Sequence, residues 1–281
     1  MRGASRASYA DLRDKLAVAV SGVTGGAGAA IAEQAGDELF AVTRLLDSEH
    51  GLRRALADAT KPAAEKAAVA RRLLRGKVSQ TVENLAADAA AAKWAGPGDL
   101  SDGCERLAIE ALAIAAQLGG VLDDLEDDLF RFSRVVAAQP SLREALIGPT
   151  DEAAKRSLLA NLLSAKVSAP SLKLITQLLT HPRGRSPQVV LDLAAGIAAQ
   201  RREQLIAVVR VATDLTPAQR QRLLGVLTNT YGRGVHMNVV RDPEVVGGMS
   251  VQIGDELIDG TAATRLSGVR RNLAGLPASP G

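Results

Sequence analysis

Apolar side chains near the start of the chain recur at helical spacing. Tyr9, Leu12, Leu16 and Val20 fall at i, i+3, i+7 and i+11, one face of a helix. The Gly-rich stretch 22–28 is expected to end that helix as a turn, because glycine gives up the most backbone freedom in a helix. A second helix is expected over about 29–46, with Leu39, Val42 and Leu46 on one side.

The pattern then returns. Asp37-Glu38-Leu39-Phe40 recurs as Asp127-Asp128-Leu129-Phe130, about ninety residues on. At that offset Arg44 matches Arg134, Leu52-Arg53 matches Leu142-Arg143, Ala55-Leu56 matches Ala145-Leu146, and Thr60 matches Thr150. After a one-residue slip, Lys77-Val78-Ser79 matches Lys166-Val167-Ser168. Alanine and leucine coincide by chance in so biased a chain; Phe, Arg, Thr and Lys-Val-Ser in register point to a duplicated helical module. Each copy reads as a long amphipathic helix, a short one near 52–56 or 142–146, and further helices marked by Val69 and Leu73 or by Leu159 and Leu163. Thr60 and Thr150 are expected N-caps, with Pro62 in the first turn after Thr60. Gly96-Pro97-Gly98 separates the copies, and His181-Pro182-Arg183-Gly184 stops the stripe of Leu172, Ile175 and Leu179.

Beyond a long helix over about 188–204, with Val190, Leu193 and Ile197 inward, the period changes. Residues 206–211 are short and β-branched and read as a strand. Thr216 and Pro217 open a helix to about Tyr231, and 235–240 is another strand. Met249, Val251 and Ile253 alternate with polar residues before a Gly254-Asp255 turn into Glu256-Leu257-Ile258. Ala262, Leu266, Val269 and Leu273 mark a last helix that leaves Arg265, Arg270 and Arg271 outward. The expected fold class is mostly α: two tandem helical bundles, 1–95 and 105–204, followed by a small α+β domain, 205–275.

Composition adds to this mainly by exclusion. Aromatic residues make up only 2% of the 281, so alanine and leucine must fill the core. The pI of 9.2 accompanies a formal charge of only +3. Without clustered base or aromatic platforms for bases, a nucleic-acid reader has little support. The Arg71-Arg72, Arg75 and Lys77 cluster is confined to one copy and reads as a solvated face. Residues 16–32 carry no charge and follow Arg2, Arg6, Arg13 and Lys15, yet Asp11, Asp14 and four glycines argue against a secretory signal. No stretch holds about twenty consecutive apolar residues, so no membrane span is expected.

Catalytic chemistry finds little footing. His50, His181 and His236 lie in different modules without a metal-ligand spacing, and His181 is expected to be exposed in its loop. Residues 22–28 lack the Gly-Lys-Ser/Thr ending and preceding strand of a phosphate loop. Asp123, Asp124, Glu126, Asp127 and Asp128 read as a solvated helix start, and lone Cys104 as a buried structural thiol. No cofactor or metal is expected.

The segment Asp242-Pro243-Glu244-Val245-Val246-Gly247-Gly248-Met249 continues through Ile253-Gly254-Asp255-Glu256-Leu257-Ile258-Asp259-Gly260-Thr261 to Leu266. It resembles the signature of ATP synthase delta subunits and the mitochondrial oligomycin-sensitivity-conferring protein, with Val for the usual Leu or Ile beside Gly247 and Thr261 for the common Ser. Residues 105–204 resemble the six-helix N-terminal domain of that family. Residues 1–95 depart from its common pattern and are similar to the extra domain of actinobacterial members, without the fused b-type anchor some of those carry. The resemblance implies a non-catalytic stator subunit of an F-type ATP synthase, peripheral at the cytoplasmic face of the cell membrane, without nucleic acid, and touching membrane only through the complex. A helical nucleic-acid binder and a general scaffold unrelated to that complex are the alternative readings. The implied partners are the N-terminal helices of alpha subunits and the b-type stalk. By that analogy an alpha helix would lie between walls of Ile109, Leu112 and Ala116 and of Ile175, Leu178 and Leu179. Leu266, Val269, Arg270 and Leu273 would meet the b subunit, while Asp242, Pro243, Gly247, Gly248, Gly254, Asp255, Asp259 and Gly260 form the structural motif.

Overall fold

The computed structural model describes residues 3–259 apart from 22–24, 149–150, 204, 232–234, 243–244, 246 and 254–255. The chain divides into two compact units, Met1–Arg202 and Glu203–Gly281. Eleven helices make up the described part of the first: α1 Gly3–Ser21, α2 Gly25–Ser48, α3 His50–Ala57, α4 Ala63–Leu74, α5 Gln80–Ala91, α6 Pro97–Leu118, α7 Leu122–Ala138, α8 Pro140–Ile147, α9 Glu152–Leu163, α10 Ala169–Thr180 and α11 Pro187–Glu203.

The helices repeat at the spacing of the sequence. A shift of about ninety residues carries α2–α5 onto α7–α10, and carries α6 onto α11 with Pro97 meeting Pro187. Helix α6 therefore closes the first set of helices and opens the second. The sequence leads to an expectation of two tandem bundles at 1–95 and 105–204; the two sets of helices are there, and they share one core that runs from Leu12 to Ala198. The reason lies in α6. Leu107, Ala108, Ile109, Ala111, Leu112, Ala113, Ile114 and Ala116 leave it apolar on nearly every face, and all eight are buried. A helix apolar all round must be enclosed on all sides.

Why the matched polar residues recur is visible in the caps. Ser79 caps α5 by accepting the Val82 N–H, and Glu38 of α2 accepts both the Ser79 N–H at 2.8 Å and its hydroxyl at 2.6 Å. Ser168 caps α10 by accepting the Ser171 N–H, and Asp128 of α7 accepts the Ser168 N–H at 2.9 Å. Asp128 is only 5% exposed, which corrects the solvated helix start expected for it together with its neighbours. Burial costs a carboxylate less when such donors hold it.

Two other expectations are corrected. Helix α2 starts at Gly25, so Gly25, Gly26 and Gly28 are helical and not part of a turn. Packing along α6 outweighs their poor propensity. Thr60 is not the cap of α4, whose N-cap is Pro62. Asp58 instead accepts the Thr60 N–H at 2.9 Å and its hydroxyl at 2.7 Å, using Thr60 in the turn before the helix. Thr150 lies outside the described residues.

The second unit contains β1 Leu205–Val211, α12 Pro217–Tyr231, β2 Val235–Arg241, β3 Met249–Ile253 and β4 Glu256–Asp259, with sheet order β2-β1-β3-β4. Strand β1 runs parallel to β2, Leu205 opposite Val235, so a crossover is needed and α12 provides it. A reciprocal cap starts α12: Thr216 accepts the Gln219 N–H, and Gln219 accepts the Thr216 N–H at 2.9 Å. Strands β3 and β4 form the expected hairpin, Ile253 opposite Glu256. Ala207, Val209, Val211, Leu227, Val235, Met237, Val251 and Ile253 form the core of this unit.

Gly247 and Gly248 lie between β2 and β3 with φ of 69° and 81°. A β-branched residue is strained there, so Gly248→Val is expected to cost about 2 kcal/mol. Amide hydrogen exchange should show faster exchange in β1 and β3 with α6 unchanged. Unaltered protection of the sheet would contradict this.

Candidate partner-binding surfaces

The six residues to which the resemblance assigns a groove are buried in the structure. Ile109, Leu112 and Ala116 on α6 and Ile175, Leu178 and Leu179 on α10 are each at most 4% exposed. Helix α2 lies against α6 so closely that a Cβ on Gly36 would stand 2.7 Å from Cγ of Leu112 and 3.2 Å from the Ala108 carbonyl oxygen. Helix α10 is tied to the same α2. The Lys173 ammonium donates to Glu33 at 2.7 Å and to Asp37 at 2.5 Å, and Arg44 donates to Gln177 at 3.1 Å. Phe40, between these polar residues on the stripe 33, 37, 40, 44, is 5% exposed. The six residues thus form core and present no surface to a partner, and Leu112 among them lies directly under Gly36 of α2.

Burial opposes the Lys173 charge, but the hydrogen bonds it donates to Asp37 and then to Glu33 outweigh that and raise its pKa. A raised pKa stabilises the fold at all pH below that of an unfolded lysine. This contribution fades only as pH climbs through the folded value.

A second tie crosses from the α10–α11 loop to the first copy. Arg183 donates to Asp47 on α2 at 2.5 Å, and on α6 to the Ser101 hydroxyl at 2.6 Å and to Glu105 at 3.0 Å; it also ion-pairs with Asp102 at 2.8 Å. Arg185 donates to the other oxygen of Glu105. Arg183 reaches all of these from a left-handed backbone, φ 55°, next to Gly184 at 73°. His181, expected to be exposed, is half-buried, with an Nδ1 that has no hydrogen-bond partner among the described residues.

Farther along α6, Arg201 of α11 donates to Glu110 at 2.9 Å, both side chains almost wholly buried. Burial depresses the Arg201 pKa, partly offset by Glu110. Burial and the same carboxylate push the Tyr9 phenol well above its ordinary value. Sequence reasoning missed these partners. The signal was available in Glu105 and Glu110, two carboxylates set among the apolar positions of α6.

Cys104 is 2% exposed, and burial pushes its thiol up to about 12. Thiolate chemistry at neutral pH is therefore suppressed. Iodoacetamide is expected to leave native protein unmodified and to label Cys104 quantitatively in strong denaturant. Rapid native labelling at pH 8 would contradict its burial.

In the second unit Asp242 extends the β1–β2 ladder by donating its N–H to the Val211 carbonyl at 2.9 Å, and Asp259 pairs with Ser250 across β3–β4. Pro243, Gly254, Asp255, Gly260, Leu266, Val269, Arg270 and Leu273 lie outside the described residues. Among the described residues no group of three or more His, Cys, Asp or Glu is placed to hold a metal, and no helix is long and apolar enough to cross a membrane.

This arrangement has named relatives. Residues 109–273 match the family model of the ATP synthase delta (OSCP) subunit. The chain is 44% identical over 274 residues to "ATP synthase subunit delta" of Kineococcus radiotolerans, covering 97% of this chain and 98% of that protein. It is 43% identical over 273 residues to the subunit delta of Streptomyces avermitilis, again over 97% and 98%. To that of Thermobifida fusca it is 46% identical over 243 residues, 85% of this chain and 90% of the other.

The chain belongs to the ATP synthase delta (OSCP) family. Delta subunits are non-catalytic members of their complex. The family model begins at Ile109 on α6, yet the first two relatives are matched over nearly their full length. The additional helices before α6 are therefore shared with those delta subunits.

Proposed function

We propose that the chain is a stator connector, joining the alpha/beta catalytic head of an F-type ATP synthase to a b-type peripheral stalk. Membership of the delta family carries the reading. The division into a helical unit and a small α+β unit fits a two-ended connector. In this reading the helical unit holds the head through N-terminal helices of alpha subunits. The second unit holds the stalk, with Leu266, Val269, Arg270 and Leu273 as the proposed b contact. The complex then keeps the chain at the cytoplasmic face of the membrane. In this reading an alpha-subunit helix reaches Ile109, Leu112, Ala116, Ile175, Leu178 and Leu179 only after the helical unit opens, since all six are buried in its core.

Add-back tests this. Host membranes stripped of head and of this chain are mixed with purified head, with and without the chain. Sedimenting ATPase and ATP-driven proton pumping should return only with the chain. Equal recovery without it would contradict the proposal.

A further inference from the structure

The stripe with which α2 grips α10 has a second, uncovered edition. The shift that aligns the copies places Asp123, Asp127, Phe130 and Arg134 of α7 on Glu33, Asp37, Phe40 and Arg44 of α2. Two acids, a phenylalanine and an arginine recur in the same order. In the first copy the acids hold Lys173, the arginine holds Gln177 and the phenylalanine is buried. In the second copy all four are exposed, Phe130 by 60%, and among the described residues none of the three charged side chains has an ionic or side-chain hydrogen-bond partner.

A physical difference keeps this surface open. In the first copy Gly36 meets Leu112, which lets α2 close on α6. The equivalent pair in the second copy is Glu126 and Arg202, an ion pair at 3.0 Å. Those longer side chains hold α7 and α11 apart. Between them lies an open cleft of about 400 Å³, lined among others by Phe130, Arg134, Asp192 and Gly196. Ser133 donates to Asp192 at 2.5 Å, which ties the cleft floor together, and a Cβ on Gly196 would meet nothing within 4 Å.

We infer that this face of α7 docks an amphipathic helix of a partner protein. The helix carries a Lys or Arg for Asp123 and Asp127, an amide or carboxylate four residues later for Arg134, and apolar side chains against Phe130. The chemistry is copied from α10, where Lys173 and Gln177 have that spacing and face the matching stripe. A helix supplying a carboxylate in place of Gln177 would add charge to the Arg134 contact. A second copy of this chain fits poorly. On α5 the positions matching Lys173 and Gln177 are Asn84 and Asp88, and Asp88 already pairs with Lys15 at 2.9 Å. The acids of α7 would find no cation there.

The test places p-benzoylphenylalanine at position 130 of the full chain, assembled in its native complex and irradiated. The crosslinked segment is identified by mass spectrometry. The expected product is a helical segment of another subunit with the Lys/Arg to amide/carboxylate spacing above. Asp127→Lys should lower its yield about tenfold, and reversing the partner's basic residue should restore it. Asp127 is exposed, so the melting temperature of this variant should be unchanged. Crosslinks only within the chain or to a second copy, a captured segment without that spacing, or a yield indifferent to Asp127→Lys would overturn the inference.

Discussion

Arg201→Met should destabilise the helical unit by about 3 kcal/mol or more, because it strands Glu110 in the interior. The two groups are 2.9 Å apart with side chains 8% and 6% exposed, and they join the shared helix α6 to α11. Removing the guanidinium leaves a desolvated carboxylate that must stay unpaired or take up a proton. Replacing both partners with apolar residues of similar size is a different case, and such exchanges are often neutral or stabilising. The double variant Arg201→Met with Glu110→Leu should therefore recover most of the loss. Urea midpoints of the two single variants and the double variant measure this. A double variant no more stable than Arg201→Met would contradict the view that the stranded charge is the cost.

Arg183→Ala should cost about 3 kcal/mol for a related reason spread over more partners. It removes the donor to Asp47, Ser101 and Glu105 and the cation beside Asp102, leaving Arg185 alone on Glu105. Arg183→Lys should rescue little, since one ammonium cannot span acceptors on both α2 and α6. Arg183→Gly separates two effects. Glycine relieves the left-handed backbone at φ 55°, a gain of about 1 kcal/mol, but loses the same hydrogen bonds. The expected order of stability is wild type, then glycine, then alanine, read from denaturant midpoints. An alanine variant as stable as wild type would show that the loop does not fasten the two copies.

The small α+β unit was legible because its signals are local. The alternation of Met249, Val251 and Ile253, the Thr216 cap and the Gly247-Gly248 bend each depend on a few neighbouring residues. The repeat was legible too, and the Glu38–Ser79 and Asp128–Ser168 bonds explain why those positions recur. What the sequence hid is non-local. Periodicity marks α6 as apolar but does not say that both copies enclose it. Nor does it say that Ile109 and Ile175 are enclosed in the core, or that Gly36 fits over Leu112 from across the fold. The implied groove was therefore placed on residues that are core. Arg183 read as part of a chain breaker because its partners lie about eighty or more residues away.

The stator assignment stands or falls on native mass spectrometry of the tagged chain, purified gently from detergent-solubilised host membranes. The expected result is one copy of this chain in an assembly with alpha, beta and b-type subunits. Recovery of the chain without those subunits, or with nucleic acid in their place, would contradict the assignment.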